Sequence, residues 1–426
     1  MVVLTFSFTG CITSGRTQKD VVQTTTMPTE KSNYKDIDTD NEKENRNYKA
    51  TEILFGYNSL TTQVQKNFYT ELCKSVWEVS EDATSEGYYP CKMVNFDGVV
   101  LTQAEIRLVI SAVKIDNPIV FWLSDHFGYS NTSGFTTIQL YSLIPPMEIK
   151  EKSDKMVNVA NSIVTSMEGG LDEFTLELRI HDKILEMCKY ADDVKSSKDD
   201  YLAFTVYGVL VNGSAVCEGY SKTFQYLMSQ LGIECTTIMG RGKTELHMWN
   251  SVKINGNFYF VDVSWDDSKE YSKYDYFNIT EEQLLKDHTI SKEYKDATND
   301  ELCGTNGKTA LNFNHSVPKC NSVEEDYYVK CTPHFTDLYS YDNPEMTNAL
   351  FESANSGDNY FSFYIDPMYL EYTNAVDQLF NSGDQLFFSY IDTVNSMYPA
   401  NYIDKEQVYI VQKENLYVVT VQLKYQ

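Results

Sequence analysis

Three residues near the middle of the chain are of the types that carry out nucleophilic acyl chemistry. Cys217, His247 and Asp262 follow one another within VNGSAVCEGYSKTFQYLMSQLGIECTTIMGRGKTELHMWNSVKINGNFYFVDVSWDD, residues 211–267. In such a set a thiolate attacks a carbonyl. An imidazole takes the thiol proton and delivers it to the leaving group, and a carboxylate fixes the imidazole's tautomer and orientation. The elements that carry the three must therefore converge.

The first element is a helix. Tyr220, Phe224, Leu227, Met228 and Leu231 fall at i, i+4, i+7, i+8 and i+11, one apolar stripe of a buried helix. Gly232 follows as its C-cap. Asn212-Gly213-Ser214-Ala215 turns the chain just before it. Cys217 is thus expected in or just before the first helical turn, where unpaired N–H groups and the helix dipole favour a thiolate. The backbone N–H of Cys217 is a candidate oxyanion donor.

The second element is a hairpin. Residues 246–254 and 257–264 read as strands joined by Asn255-Gly256, a pair that favours a two-residue type I′ turn. That turn pairs Ile254 with Asn257, which sets Trp249 opposite Asp262 and His247 opposite Ser264. His247, Trp249, Phe258, Phe260 and Asp262 then share one face. His247 and Asp262 become diagonal neighbours, within reach of a ring and a carboxylate. A slip of one residue would separate them.

The remainder of the chain supplies no comparable chemistry. Periodicity predicts helices over 60–77 and 103–114, the second with a capping-box pattern of Thr102 and Glu105. Short apolar strands are expected at Ile119–Leu123 and 135–143. His126 reads as a loop residue, and 51–150 as an accessory α+β domain. Two helices follow at 151–168 and 172–190, and in the second His181-Asp182 reads as a core or capping pair rather than a dyad. From residue 327 the pattern alternates: a strand at 327–330, helices near 343–355 and 367–381, strands near 359–365 and 407–424. This is a small α/β domain, 327–426, and the catalytic domain is expected over 151–326. Neither Gly240-Arg241-Gly242-Lys243-Thr244 nor Gly307-Lys308-Thr309 has the earlier glycine of a phosphate-cradling loop, so nucleotide binding is rejected.

Composition bounds the partners. The chain has 426 residues, 42% hydrophobic and 14% aromatic, and a formal net charge of -26. Such an acidic balance disfavours nucleic acid and anionic lipid surfaces. Nine cysteines in this length do not make a disulfide scaffold, although Cys303, Cys320 and Cys331 are close enough for one local bridge. The apolar start ending Phe8-Thr9-Gly10-Cys11 is similar to a lipoprotein cleavage site. Residues after Cys11 to about 50 are polar, a solvated tether. Residues 1–50 are therefore expected to be a signal-like segment and tether, with a lipid anchor at Cys11 and a cell-surface or extracellular location.

The blocks NGSAVCEGYSKTF, HMWNSVKINGNFYFVDVSWDD and the following DYFNIT resemble the transglutaminase-like superfamily of cysteine enzymes. The resemblance covers about 155–320 and includes the helix of 171–191. It implies an α+β fold with a papain-like, transglutaminase-like core, a central helix packed on an antiparallel sheet. It also implies the roles of Cys217 as nucleophile, His247 as proton carrier and Asp262 as its orienting partner. No cofactor or metal is expected, since no dense calcium-ligand loop is visible. The substrate is expected to be a peptide or protein. Hydrolysis, amine transfer in cross-linking, and a non-catalytic surface scaffold all remain open, with hydrolysis preferred.

Overall fold

Side-chain caps start two of the helices in the first part of the fold. Thr62 accepts from the Gln65 N–H and opens α1 (Gln63–Ser75); Thr102 does the same with Glu105 and opens α2 (Gln103–Asp116). Both are full capping boxes, each meeting two backbone donors that the helix itself leaves unpaired. The structure is a computed structural model. It describes residues 54–132, 134–167, 169–194, 200–267, 273–304, 312–337, 343–383, 385–397 and 401–426, together with the backbone of three short strands before them. Cys11, most of the tether and Gly307-Lys308-Thr309 lie outside the described residues. No described helix is long and apolar enough to cross a membrane.

Ile119–Leu123 is not a strand. Phe121 and Trp122 are buried within a turn, and Trp122 Nε1 donates to the Val76 carbonyl at 3.1 Å. Core burial of the two rings overrides the β tendency of the run. The strand that follows, β1 (Leu123–Thr132), contains His126 and pairs with β2 (Phe135–Ser142). Helices α3 (Pro146–Ser166) and α4 (Glu173–Met187) come next.

The chain forms two compact units, and their boundaries differ from the expected ones. The first holds the residues up to Tyr276 together with Asp287–Cys320; the second holds Phe277–Lys286 and Asn321–Gln426. Residues 51–150 are therefore not a separate domain. His315 bonds Ser59 at 2.7 Å and Ser111 at 2.9 Å, and Gln225 donates to the Ile115 carbonyl at 2.9 Å. Ala104 shares a buried cluster with Tyr294, Leu302 and Phe313. Polar ties and common core join the two stretches.

Within the first unit, helix α5 (Cys217–Gln230) packs on a four-stranded antiparallel sheet. The sheet's order is β5-β4-β3-β6, from β3 (Cys235–Gly242), β4 (Glu245–Ile254), β5 (Asn257–Val261) and β6 (His288–Ile290). The helix is pinned to β4 by polar bonds: Ser221 Oγ donates to the Met248 carbonyl at 2.9 Å, and Asn250 Nδ2 donates to the Ser221 carbonyl at 2.9 Å. At the β4–β5 turn Ile254 pairs with Asn257, and Asn255 and Gly256 have φ of 49° and 92°. Two positive φ values are what a type I′ turn requires.

Strand β6 can reach β3 only because residue 240 has no side chain. A Cβ on Gly240 would lie 2.0 Å from the Thr289 carbonyl oxygen and 2.6 Å from the Trp249 ring. Gly240→Ala is expected to push β6 off the sheet edge and to cost on the order of 2–3 kcal/mol, as overpacking of a tight site does. Urea unfolding checks this; an unchanged midpoint would show that β6 tolerates the displacement.

In the second unit the run at Tyr327 is a helix, Tyr327–Cys331, and not a strand. Asp326 accepts from the Tyr328 and Val329 N–H groups at 2.9 and 3.3 Å, and this cap outweighs the β-prone aromatics. The expected helix near 343–355 and strand near 359–365 are found, whereas 407–424 holds two strands and Leu386–Met397 is a helix that the pattern did not predict. Helices at Pro344–Ser356 and Leu386–Met397 cover a sheet of His334–Phe335, Tyr360–Ile365, Val418–Gln422 and Tyr409–Lys413, in that order. Phe363, Phe387, Leu350 and Val419 belong to its core. The segment Phe277–Lys286 is tied to this unit through Gln283 Nε2, which donates to Asp326 at 3.2 Å.

Candidate active site

Helix α5 begins at Cys217 itself, after an extended Val216. The thiol thus sits in the first turn, beside backbone N–H groups that have no partner within the helix. It is fully buried, against Met239 and Met248, with Tyr190 packed on that cluster. Met248 directly follows His247 on β4, so the thiol lies at the His247 end of the strand. Met248 alternates with His247 along β4, and Met239 lies opposite Met248 on β3.

His247 pairs across the sheet with Gly240 and is buried. Its ring lies against Trp249, Trp265 and His288, with centroids 6.0, 5.4 and 5.5 Å away. Aromatic packing on several sides leaves the imidazole little freedom to turn. His247 Nε2 meets Asp262 Oδ2 at 2.5 Å, the pairing that the hairpin register predicts.

Asp262 is held differently from the expectation. Strand β5 ends at Val261, and Val263–Asp266 is a helical turn, so Ser264 does not pair with His247. Asp262 caps that turn. Its Oδ1 accepts from the Ser264 N–H at 3.1 Å, the Ser264 hydroxyl at 2.8 Å and the Trp265 N–H at 3.1 Å. Leaving the strand frees the carboxylate for more donors than a strand position offers. Burial alone would raise its pKa, but His247 and His288 outweigh burial and hold the carboxyl well below the ordinary carboxylate range.

His288 is the member that sequence reasoning missed. It lies on β6, opposite Gly242, and its Nε2 is 3.3 Å from the same Asp262 Oδ2 that serves His247. Its Nδ1 is 2.6 Å from Asp287 Oδ1, and the Tyr276 hydroxyl donates to Asp287 Oδ2 at 2.6 Å. Burial works against the charged imidazole, yet these carboxylates raise its pKa above the ordinary value. The local signal was slight: one histidine after an aspartate, ahead of the β-branched Thr289-Ile290. His247, Asp262 and His288 could supply three donors to a metal, all within 4.8 Å of one another. The Nε2 atoms of both rings are already directed at the carboxylate between them.

A second buried pair braces the helical turn. His181 Nε2 lies 3.0 Å from Asp266 Oδ2, and the Tyr276 N–H donates to Asp266 Oδ1 at 2.9 Å. Burial pushes the Asp266 carboxyl up to about 7. His181 Nδ1 also comes within 3.4 Å of Asp182, so these sequence neighbours do approach one another. Asp182 pairs in turn with Lys273 at 3.0 Å. The core role expected of His181 stands, since it is wholly buried on α4.

None of the eight cysteines among the described residues is in a disulfide, including Cys303, Cys320 and Cys331. The local bridge that their spacing would allow is not formed.

Residues 160–263 match the model of the family described as the Transglutaminase-like superfamily, a span that contains Cys217, His247 and Asp262. The chain is similar to a solved structure described as "Crystal structure of a TGase", with 12% identity and a TM-score of 0.25, covering 41% of this chain and half of that one. It is also similar to "a Putative Cysteine Protease from Cytophaga hutchinsonii", with 13% identity, a TM-score of 0.23, and coverage of 49% of this chain and 71% of that one. A protease structure from Parabacteroides distasonis, described in the same qualified terms, is similar at 9% identity and a TM-score of 0.20, over 32% of this chain and 38% of that one. No curated protein sequence matches the chain.

Proposed function

We propose that this chain is a thiol enzyme that hydrolyses peptide or amide bonds through Cys217, His247 and Asp262. The observation that carries the reading is the buried 2.5 Å contact of His247 Nε2 with Asp262, beside a helix that starts on Cys217. With Nε2–H donating to the carboxylate, Nδ1 is the nitrogen that exchanges a proton with the thiol. The Cys217 sulfur attacks the substrate carbonyl, and the Cys217 N–H helps hold the oxyanion. The C–N bond breaks as His247 passes its proton to the departing amine. Water then adds to the thioester, giving its proton to His247, and the C–S bond breaks to release the acid and restore the thiol.

A rival reading rests on the full burial of Cys217 under Met239, Met248 and Tyr190. A thiol so covered suits a scaffold that keeps the fold without turnover. Incubating the protein with a mixed peptide library, with and without a primary amine, separates the outcomes. Free acid products formed at the same rate in both arms are expected. Amide-exchanged products would point to amine transfer, and intact peptides in both arms would support the scaffold.

A further inference from the structure

A cavity of about 70 Å³ is lined in part by Met239 and Met248, the two residues that pack against Cys217. Val120 and Phe121 add to its apolar wall, and its charged residues are Lys114, Asp125, Glu218 and Lys222. A single water needs roughly 10–15 Å³ on this measure, so the space holds several waters and admits a side chain.

The charged groups are arranged unequally. Lys114 is paired with Asp125 at 2.7 Å and with the Ser124 carbonyl at 3.0 Å. Lys222 takes Glu218 Oε1 at 2.6 Å. Glu218 Oε2 is buried with no hydrogen-bond partner, on a side chain that is only 4% exposed. Two cations and two anions already balance. What remains beside the cavity is one unmet acceptor, and a buried acceptor favours whatever brings it a donor.

We propose that this cavity is the subsite for the substrate side chain next to the attacked carbonyl, and that Glu218 selects a short apolar stem ending in an uncharged hydrogen-bond donor, a hydroxyl or a carboxamide. The proposal rests on the thiol reading given above. A carboxylate tip would set its oxygens against Oε2. An ammonium tip would add a third cation to a balanced set and would have to shed its water. A wholly apolar tip would fit the walls and leave Oε2 unmet.

Peptidyl acyloxymethyl ketones with matched side chains test this. Homoserine, asparagine, norvaline, aspartate and 2,4-diaminobutyrate are placed next to the reactive ketone, and labelling rates at Cys217 are measured by mass spectrometry. Homoserine and asparagine probes are expected to react at least about tenfold faster than the aspartate and diaminobutyrate probes, with norvaline between them. In Glu218→Gln the amide oxygen stays on Lys222 and the NH2 replaces Oε2, so the gap between asparagine and aspartate probes is expected to close. Equal rates for all five probes on the native protein, as when Oε2 merely holds a water, would overturn the subsite and leave the thiol reading standing. An order unchanged in Glu218→Gln would overturn the role of Glu218. No labelling of Cys217 by any probe would bring down the thiol reading and the subsite with it.

Discussion

Cys217→Ala is expected to abolish iodoacetamide labelling at the active site and to lower peptide turnover by at least about 10³-fold, the scale on which removing a catalytic nucleophile acts. The contrast with the other thiols makes the labelling informative. Burial pushes the Cys73 and Cys188 thiols up to about 11 and the Cys235 thiol well above its ordinary value. Cys331 is exposed, yet its thiol is also raised by partial burial. Those sites hold little thiolate at neutral pH, and thiolate is the species that alkylates. Native protein should therefore show one fast modification, mapped by peptide mass to Cys217, and the alanine variant none. Removing one sulfur from the Met239–Met248 cluster should cost only on the order of 1 kcal/mol, so a melting curve separates lost chemistry from lost fold. Fast alkylation spread evenly over the cysteines would defeat the assignment of Cys217 as nucleophile.

Asp262→Asn carries the second large effect, on turnover and on stability together. Turnover is expected to fall by about 10²–10⁴-fold, because an amide no longer sets the imidazole tautomer as a carboxylate does. The side chain keeps an oxygen to cap Val263–Asp266 but loses its charge between two imidazoles, a loss of about 2 kcal/mol for charged hydrogen bonds. The pH dependence has a definite sign. The folded Asp262 carboxyl titrates well below its unfolded value of about 3.9. Its stabilisation is thus fully present above that value and is lost as pH falls through the folded pKa. His288 acts in the opposite sense: its raised pKa gives stability that is present below about 6.5 and fades as pH rises through the folded value. Urea titrations from pH 3 to pH 8 should show the native protein losing its advantage over Asp262→Asn at the acid end. His288→Ala should lower kcat less than Asp262→Asn does, with KM unchanged, since His288 acts through Asp262. Parallel stability curves for native protein and Asp262→Asn across that range would contradict the charge-based account.

The legible part of this site was local. A five-residue apolar stripe placed Cys217 at a helix start, and Asn255-Gly256 fixed a register from which the His247–Asp262 contact follows. Strand alternation is strict, so a correct turn carries correct neighbours with it. Where the reading failed, a cap or a distant contact decided the structure. Asp262 stops its strand by capping the next turn, and Asp326 opens a helix in an aromatic run that reads as β. Asp-x-Ser at 262–264 was the signal for the first of these. His288 had no such sign. It reaches the site through β6, whose pairing depends on the bare backbone at Gly240, and Gly240 is 48 residues from it in sequence. The boundary expected near 150 failed for the same reason, because Ser59 and Ser111 find their histidine partner at His315.

The ten residues Phe277–Lys286 leave one unit for the other between Tyr276 and Asp287, and the chain crosses again after Cys320. The chain therefore crosses between the units three times and not once. A single proteolytic cut after Cys320 would leave Phe277–Lys286 with no covalent link to Asn321–Gln426. During synthesis the order matters too: the first unit's last segment leaves the ribosome while most of the second is still unmade, so this decapeptide must wait for its partners.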